Sequence, residues 1–491
     1  MSGGGQGPDD EAGRPGSSAG PDPSRLELSP EAMRAFGYRV VDLLVDHWST
    51  LREQPAGAAA PRAELESRLR RPPSERGSDP ESVLTRLERD VLAHMGRVHH
   101  PRFFAFVPSP SNWVSVLGDA IAAGTNVFAG TWFESSGPAM VELVVVDWLR
   151  EWCGLPEGAG GLFVSGGSMA NLTALAVARR VRLGDRIEGA VAYCSDQTHS
   201  AVGRAMRVLG FTTPQLREIA SDGSFRLDPD PLREAVAEDR AAGREPFCVV
   251  ANAGTTNTGA VDPLPELAAL CREEDLWLHA DAAYGGAAVL CPAGREALAG
   301  LERVDSLALD PHKWLFQPYE IGCVLVREKA WLPETFHVLP DYLRDVEVRT
   351  GEVNFADYGV QLTRSFRALK LWLSIEVFGL AAFREAVARG IENGERAEEI
   401  LRSSDAWEVI TPAGLGIVTF RWAGEGADEA TRERVTAALV DASQRDGFTL
   451  VTSTRLTGRT VLRLCTINPR TTGRDLEESI ARLAELAGGL R

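Results

Sequence analysis

From about residue 100 onward, short apolar runs alternate with longer stretches in which apolar residues recur every three to four positions. The runs Gly161–Ser165, Ala190–Cys194, Phe247–Ala251, Leu276–His279, Ser306–Leu309 and Cys323–Val326 have the length and texture of strands buried on both faces. Asn171–Arg182 and Leu264–Glu274 lie among them and carry the helical period. The alternation predicts an α/β fold, a mostly parallel sheet covered on both faces by helices. Ligands of such sheets gather where strands end and the next helices begin.

The flanks read differently. Residues 1–24 are Gly, Pro, Ser and Asp with little apolar surface to offset ordering entropy, so they read as a disordered tail. Ser29-Pro30-Glu31 then sets a cap residue before a proline at the first helical position, and Phe36, Val40, Leu43 and Leu44 follow at helical spacing. A loop from Pro55 to Pro61 leads to a second polar helical stretch, making 25–100 a helical N-terminal segment. Residues 101–394 form a large domain. Within it, Leu343–Asp357 is polar and without sustained period, the reading of a mobile loop, and a strong helix is expected from Leu362 to Val377. Residues 395–491, with strands expected at Gly416–Arg421 and Thr460–Leu464, read as a smaller C-terminal α/β domain.

Composition narrows the partners. A net charge of −17 argues against nucleic acid or an anionic membrane surface. No apolar run approaches the ~18 residues that span a bilayer, and no signal-peptide pattern opens the chain, so a cytoplasmic protein is expected. The seven cysteines are dispersed without a CxxC pair. They read as reduced thiols, and no metal site is expected.

Candidate chemistry sits at strand ends. Asp310-Pro311-His312-Lys313-Trp314 follows a buried run, which puts Lys313 where sheet ligands bind, although a His-Lys pair alone is far more often an exposed loop lysine. Asp281 ends another strand, either as a helix cap or as the carboxylate that keeps a pyridine nitrogen protonated. Ser165-Gly166-Gly167-Ser168-Met169-Ala170-Asn171 opens a helix with small residues, either a tight turn or a place where backbone N–H groups meet a phosphate. Ser195-Asp196-Gln197-Thr198-His199-Ser200 adds an imidazole at a fourth end. A lysine, a carboxylate, a glycine turn and an imidazole at the ends of one sheet's strands argue together for a site.

These motifs, with His100-Pro101-Arg102-Phe103-Phe104-Ala105-Phe106 before them and Arg364-Ser365-Phe366-Arg367-Ala368-Leu369-Lys370 after, occur in an order that resembles the pyridoxal-phosphate (PLP) dependent group II decarboxylases. The likeness is strongest to the aromatic-L-amino-acid decarboxylase branch and spans roughly residues 28 to 480. It implies the aspartate-aminotransferase fold (fold type I). It also implies a homodimer with active sites at the subunit interface and N-terminal helices packed across it. Carried over, Lys313 is the Schiff-base lysine, Asp281 the partner of the pyridine nitrogen, His199 the imidazole on one ring face and Ala283 the small residue on the other. Gly167, Ser168 and His312 fall at the phosphate and Thr256 beside the ring, while Phe106 and Pro108 line the substrate pocket. Ordinary core is an equal reading of those last two.

The implied reaction turns an aromatic L-amino acid into the arylalkylamine and CO2. Two departures from the family stand out. Phe355 aligns with a loop tyrosine that returns the proton in many relatives, and a phenyl ring cannot donate one. Tyr358 or His199 would then serve, or the carbanion is diverted to oxygen, giving an aldehyde, ammonia and peroxide. Asp310 stands where several relatives have a neutral amide near the phosphate; a carboxylate there repels phosphate unless it points away or pairs with a base. Cysteine desulfuration also uses a His-Lys pair but needs a cysteine on a mobile loop, and this chain has none between Cys323 and Cys465. For the substrate ring, Thr363 favours a phenol whereas the small Ala129 and Thr131 admit an indole.

Overall fold

The computed structural model describes residues 26–338 and 351–490. The expected N-terminal tail and the 343–350 part of the expected loop lie outside the described residues.

Seven strands form the central sheet: β1 (Gly160–Val164), β2 (Ala190–Ser195), β3 (Leu216–Ile219), β4 (Glu245–Asn252), β5 (Trp277–Asp281), β6 (Ser306–Leu309) and β7 (Gly322–Val326). Their order is β1-β7-β6-β5-β4-β2-β3. Pairing is parallel from β6 through β5, β4 and β2 to β3, while β7 runs antiparallel to both neighbours. Period-two alternation divides the strands between two cores. Phe163, Tyr193, Val249, Ala251, Leu278 and Leu325 face one, with residues of the helices Trp132–Trp152, Pro229–Ala241 and Leu264–Glu273. Leu162, Ala192, Cys194, Val250, Trp277 and Val324 face the other, against Gly167–Leu183 and Ser200–Val208. All seven cysteines are free thiols and buried.

The helix expected at Leu362–Val377 instead spans Ala368–Arg402, broken at Gly379 with φ 75°. Its expected first turns are irregular because Arg364 is bound elsewhere. The Arg364 carbonyl accepts from Ala129 N at 2.9 Å, and its guanidinium reaches the carbonyls of Ala129 and Phe163 and the carboxylate of Glu142. The C-terminal region is a four-stranded antiparallel sheet of β8 (Trp407–Gly414), β9 (Ile417–Trp422), β10 (Thr452–Leu456) and β11 (Arg459–Cys465), ordered β10-β11-β9-β8. Sequence reading gave two of these strands. It missed β3, β8 and β10, whose partly exposed residues break up the apolar signal.

The N-terminal helix spans Pro30–Ser49 and begins as expected, with Ser29 Oγ accepting from Ala32 N. Only Leu43 on it is buried, and Met33, Phe36, Tyr38, Val41 and Val45 are exposed.

Candidate active site

The carboxyl ends of β1, β2, β4, β5 and β6 converge on one cavity of about 350 Å³. Each end is held by its own local chemistry. After β1 the chain turns through Gly166 into the helix Gly167–Leu183; helix geometry leaves the first N–H groups without intrahelical partners, and their dipole favours an anion. A Cβ on Gly167 would stand 2.8 Å from Asp310 Oδ2 and 2.9 Å from the Ala283 Cβ, so no side chain fits there. After β2, Ser195 N donates to Thr198 Oγ1 at 3.1 Å and Asn252 Nδ2 to Ser195 Oγ at 3.0 Å, fixing the turn. His199 ends that turn as the cap of Ser200–Val208: its Nδ1 accepts from Ala201 N at 3.2 Å, which leaves the ring proton of the neutral form on Nε2.

At the end of β5, Asp281 accepts from Asn171 Nδ2 at 2.9 Å and from Ala283 N at 3.2 Å. Asn171 is itself held. Trp277 Nε1 donates to Ser306 Oγ (2.9 Å), Ser306 meets His279 Nδ1 (2.9 Å), and His279 Nε2 meets Asn171 Oδ1 (2.8 Å). A tryptophan can only donate and a carboxylate only accept, so every bond in the chain points towards Asp281. Beyond β6, Lys313 lies in the short helix Pro311–Trp314, where its Nζ is 2.9 Å from Asp310 Oδ2. Trp314 beneath it stacks on Tyr284 with ring centroids 5.3 Å apart.

The structure thus brings the whole expected cofactor set to one cavity. Gly167, Ser168 and His199 line it from β1 and β2; Thr256, Asp281 and Ala283 from β4 and β5; His312 and Lys313 from β6. The other expected residues are not among its lining. Phe106 is 64% exposed with φ 54°, held by its carbonyl to Arg463 and by its N–H to Thr452. Pro108 is buried beside Ser109, which donates to the His312 carbonyl. Phe355 is 1% exposed in the core, with the Arg364 guanidinium 5.0 Å from its ring centre and Tyr358 edge-on at 5.6 Å. Thr363 lines a separate cavity with Tyr319 and Arg367. Asp310, flagged in the sequence as a misfit, pairs with bases: Lys313, and His312 Nε2 at 3.5 Å. Sequence reading did not single out Asn171 as a site residue, although it lies one helical turn beyond Gly167, on the same face.

This donor set fits pyridoxal phosphate. It offers a lysine amine for an aldehyde, a fixed carboxylate at a strand end for the ring nitrogen, and a helix start cleared of side chains at Gly167 for a phosphate. No group of three or more His, Cys, Asp or Glu among the described residues could hold a metal. Fold and site together define a fold type I PLP enzyme. Residues 68–423 match the model of the pyridoxal-dependent decarboxylase conserved domain, and the chain belongs to that family of amino-acid decarboxylases, with pyridoxal phosphate as its cofactor. It is 48% identical over 464 residues to an aromatic-L-amino-acid decarboxylase of Bacillus atrophaeus, covering 94% of this chain and 97% of that one. Among solved structures it resembles Oryza sativa TDC with PLP and tryptamine (TM-score 0.89, 29% identity, 94% and 99% of the two chains). It also resembles Rhodiola rosea 4-hydroxyphenylacetaldehyde synthase (TM-score 0.87, 27% identity, 94% and 99%).

Proposed function

We propose that the enzyme decarboxylates an aromatic L-amino acid to its arylalkylamine, with Lys313 and Asp281 as the central pair. The observation that carries this reading is the single cavity uniting Lys313, Asp281, His199 and the Gly167 helix start. The aromatic substrate rests on the 48% identity to the Bacillus atrophaeus enzyme.

When bound, pyridoxal phosphate supplies an electron-withdrawing ring that accepts the electrons of the breaking Cα–carboxylate bond. Lys313 would hold the cofactor through its amine, which lines the cavity beside Asp310. Asp281, kept in place by Asn171 and Ala283 N, holds a proton on the ring nitrogen and so maintains the electron sink. All of these residues line the cavity: His199 and Ala283 would hold the ring between them, Gly167, Ser168 and His312 would hold the phosphate, and Thr256 would lie beside the ring. The proton returned to Cα comes from His199, whose ring lines the cavity, rather than from Tyr358, which packs against Phe355. Phe106 and Thr363, exposed on the single chain, would complete the substrate side with a second subunit, whereas Pro108 and Phe355 are buried within the chain.

The working unit in this reading is a homodimer. The apolar face of Pro30–Ser49, exposed in the single chain, gains cover there. The enzyme acts in the cytoplasm, consistent with seven free buried thiols; among the described residues no helix is long and apolar enough to cross a membrane. The test is an aerobic incubation of the PLP-loaded protein with aromatic L-amino acids, following amine, aldehyde and peroxide. Amine without peroxide is expected. Aldehyde with matching peroxide would move the assignment to aldehyde synthase, and no product from any aromatic substrate would overturn the substrate class.

A further inference from the structure

The reaction as read above gives Asp310 no part, yet its carboxylate is wedged between the lysine and the helix start. Its side chain is 2% exposed, with Oδ2 2.9 Å from Lys313 Nζ. His312 Nε2 stands 3.5 Å away. Because His312 Nδ1 accepts the Ile321 N–H at 3.3 Å, the proton of the neutral ring sits on Nε2, the atom turned towards Asp310. Burial pulls His312 below its ordinary value and favours that neutral form. Asp310 Oδ1 is buried and has no hydrogen-bond partner among the described residues. It lies against the glycine backbone: a Cβ on Gly322 would meet it at 2.8 Å, and one on Gly166 at 4.0 Å. A charged carboxylate here would repel a phosphate at the same turn.

We propose that Asp310 takes the ammonium proton of Lys313 as pyridoxal phosphate enters, which frees the amine to attack and turns the carboxylate into a neutral donor facing the phosphate. The inference rests on the reading of Lys313 as the cofactor lysine and of residues 165–171 as the phosphate cradle. One proton passes from Nζ to Oδ2. The Nζ lone pair then forms the C=N bond with the aldehyde carbon, and the aldehyde oxygen leaves as water with the two remaining Nζ hydrogens. No oxidant or reductant is needed. Asp310 is a positioning residue for the proton of Lys313.

The titratable groups around Lys313 are Asp310 and His312 on its own turn, Asp281 from β5, Tyr319 from the segment before β7, and Cys465 from β11. Burial pulls the Lys313 amine down, but Asp310 foremost, with Asp281 and Tyr319, outweighs it and leaves the lysine raised. An amide at 310 removes the largest upward pull. The amine is then free at lower pH.

The experiment compares wild-type and Asp310→Asn apoprotein across a pH series. Acylation of Lys313 by acetic anhydride is read by peptide mass spectrometry, and capture of pyridoxal phosphate by visible absorbance and borohydride trapping. In wild type the capture profile should lie at lower pH than the acylation profile, because entry of pyridoxal phosphate drives the proton onto Asp310. In the variant the acylation profile should move to lower pH and the two should coincide. Wild-type profiles that already coincide would overturn the proposal. A second measurement uses wild-type protein alone. Adding pyridoxal phosphate should bring up a protonated-carboxyl stretch in the infrared difference spectrum that shifts in heavy water, and its absence overturns the proposal whether or not the variant folds. Borohydride trapping on a different lysine would sink the reading of the site itself.

Discussion

His279 and Asp281 lie two residues apart on β5, facing the same side of the sheet, and the Asn171 side chain bridges them: it accepts from His279 and donates to Asp281. The carboxylate is therefore aimed from behind. Asn171→Ala removes the donor and leaves Asp281 free to rotate. A hydrogen bond to a charged group contributes about 1.5–3 kcal/mol, so kcat should fall by roughly 10- to 100-fold, with a changed absorbance spectrum of the bound cofactor. Unchanged kcat and spectrum would show that Ala283 N alone orients Asp281.

The buried His100 and His279 and the half-buried His99 set the acid limb of stability. Burial pushes His99 down to about 3, and His100 and His279 down to about 4. Below pH ~6.5 the unfolded chain takes up protons on these rings that the folded chain excludes until about pH 4, so the unfolded state binds more. Stability is complete above pH ~6.5 and falls as pH drops towards 4, by up to roughly 1.4 kcal/mol per pH unit for each ring. Urea midpoints measured from pH 7 to 4.5 should fall steadily; a flat profile would contradict the exclusion of protons from these rings.

Glu142 and Arg364 form an ion pair with side chains 0% and 1% exposed. Phe163 N also donates to this carboxylate, at 2.9 Å. Glu142→Gln leaves the guanidinium buried without its counter-charge, at a cost of about 3–5 kcal/mol. The urea midpoint should drop accordingly. A shift under about 1 kcal/mol would mean that the carbonyls of Ala129 and Phe163 suffice to hold Arg364.

Gly167→Ala places a methyl group where Asp310 and Ala283 already stand. The methyl forces Asp310 or Ala283 aside in the buried turn, so the thermal midpoint should fall as well. Affinity for pyridoxal phosphate should weaken by roughly tenfold or more, an order-of-magnitude figure for one displaced ligand contact, read by titrating the apoprotein. Unaltered affinity would place the phosphate elsewhere.

The sheet was legible because strands buried on both faces leave unbroken apolar runs such as Phe247–Ala251 and Cys323–Val326. Parallel and antiparallel membership leaves no such mark, and β7 reads like its neighbours although it runs against them. The cofactor cavity was legible because its residues fall directly after strands, where backbone direction alone brings them together. Phe106 and Thr363 sit in irregular chain and Phe355 opens the short 3-10 turn Phe355–Asp357; their courses depend on distant groups, Arg463 for Phe106 and Arg364 for Phe355. The start of the helix at Ala368 was missed for the same reason, since nothing local reveals that Arg364 is committed to Glu142. Asp310 was visible only as a misfit; its pairing with Lys313 required the fold.

The seven sealed thiols have a practical corollary. A reagent such as a dithiobis-nitrobenzoate reaches them only when the chain opens, so each sulfur counts an opening event. They are distributed over both sheets, with Cys194, Cys248 and Cys323 in the first and Cys465 in the second. Peptide-resolved labelling over time would therefore order the opening of the two sheets, in the native buffer and without an introduced probe.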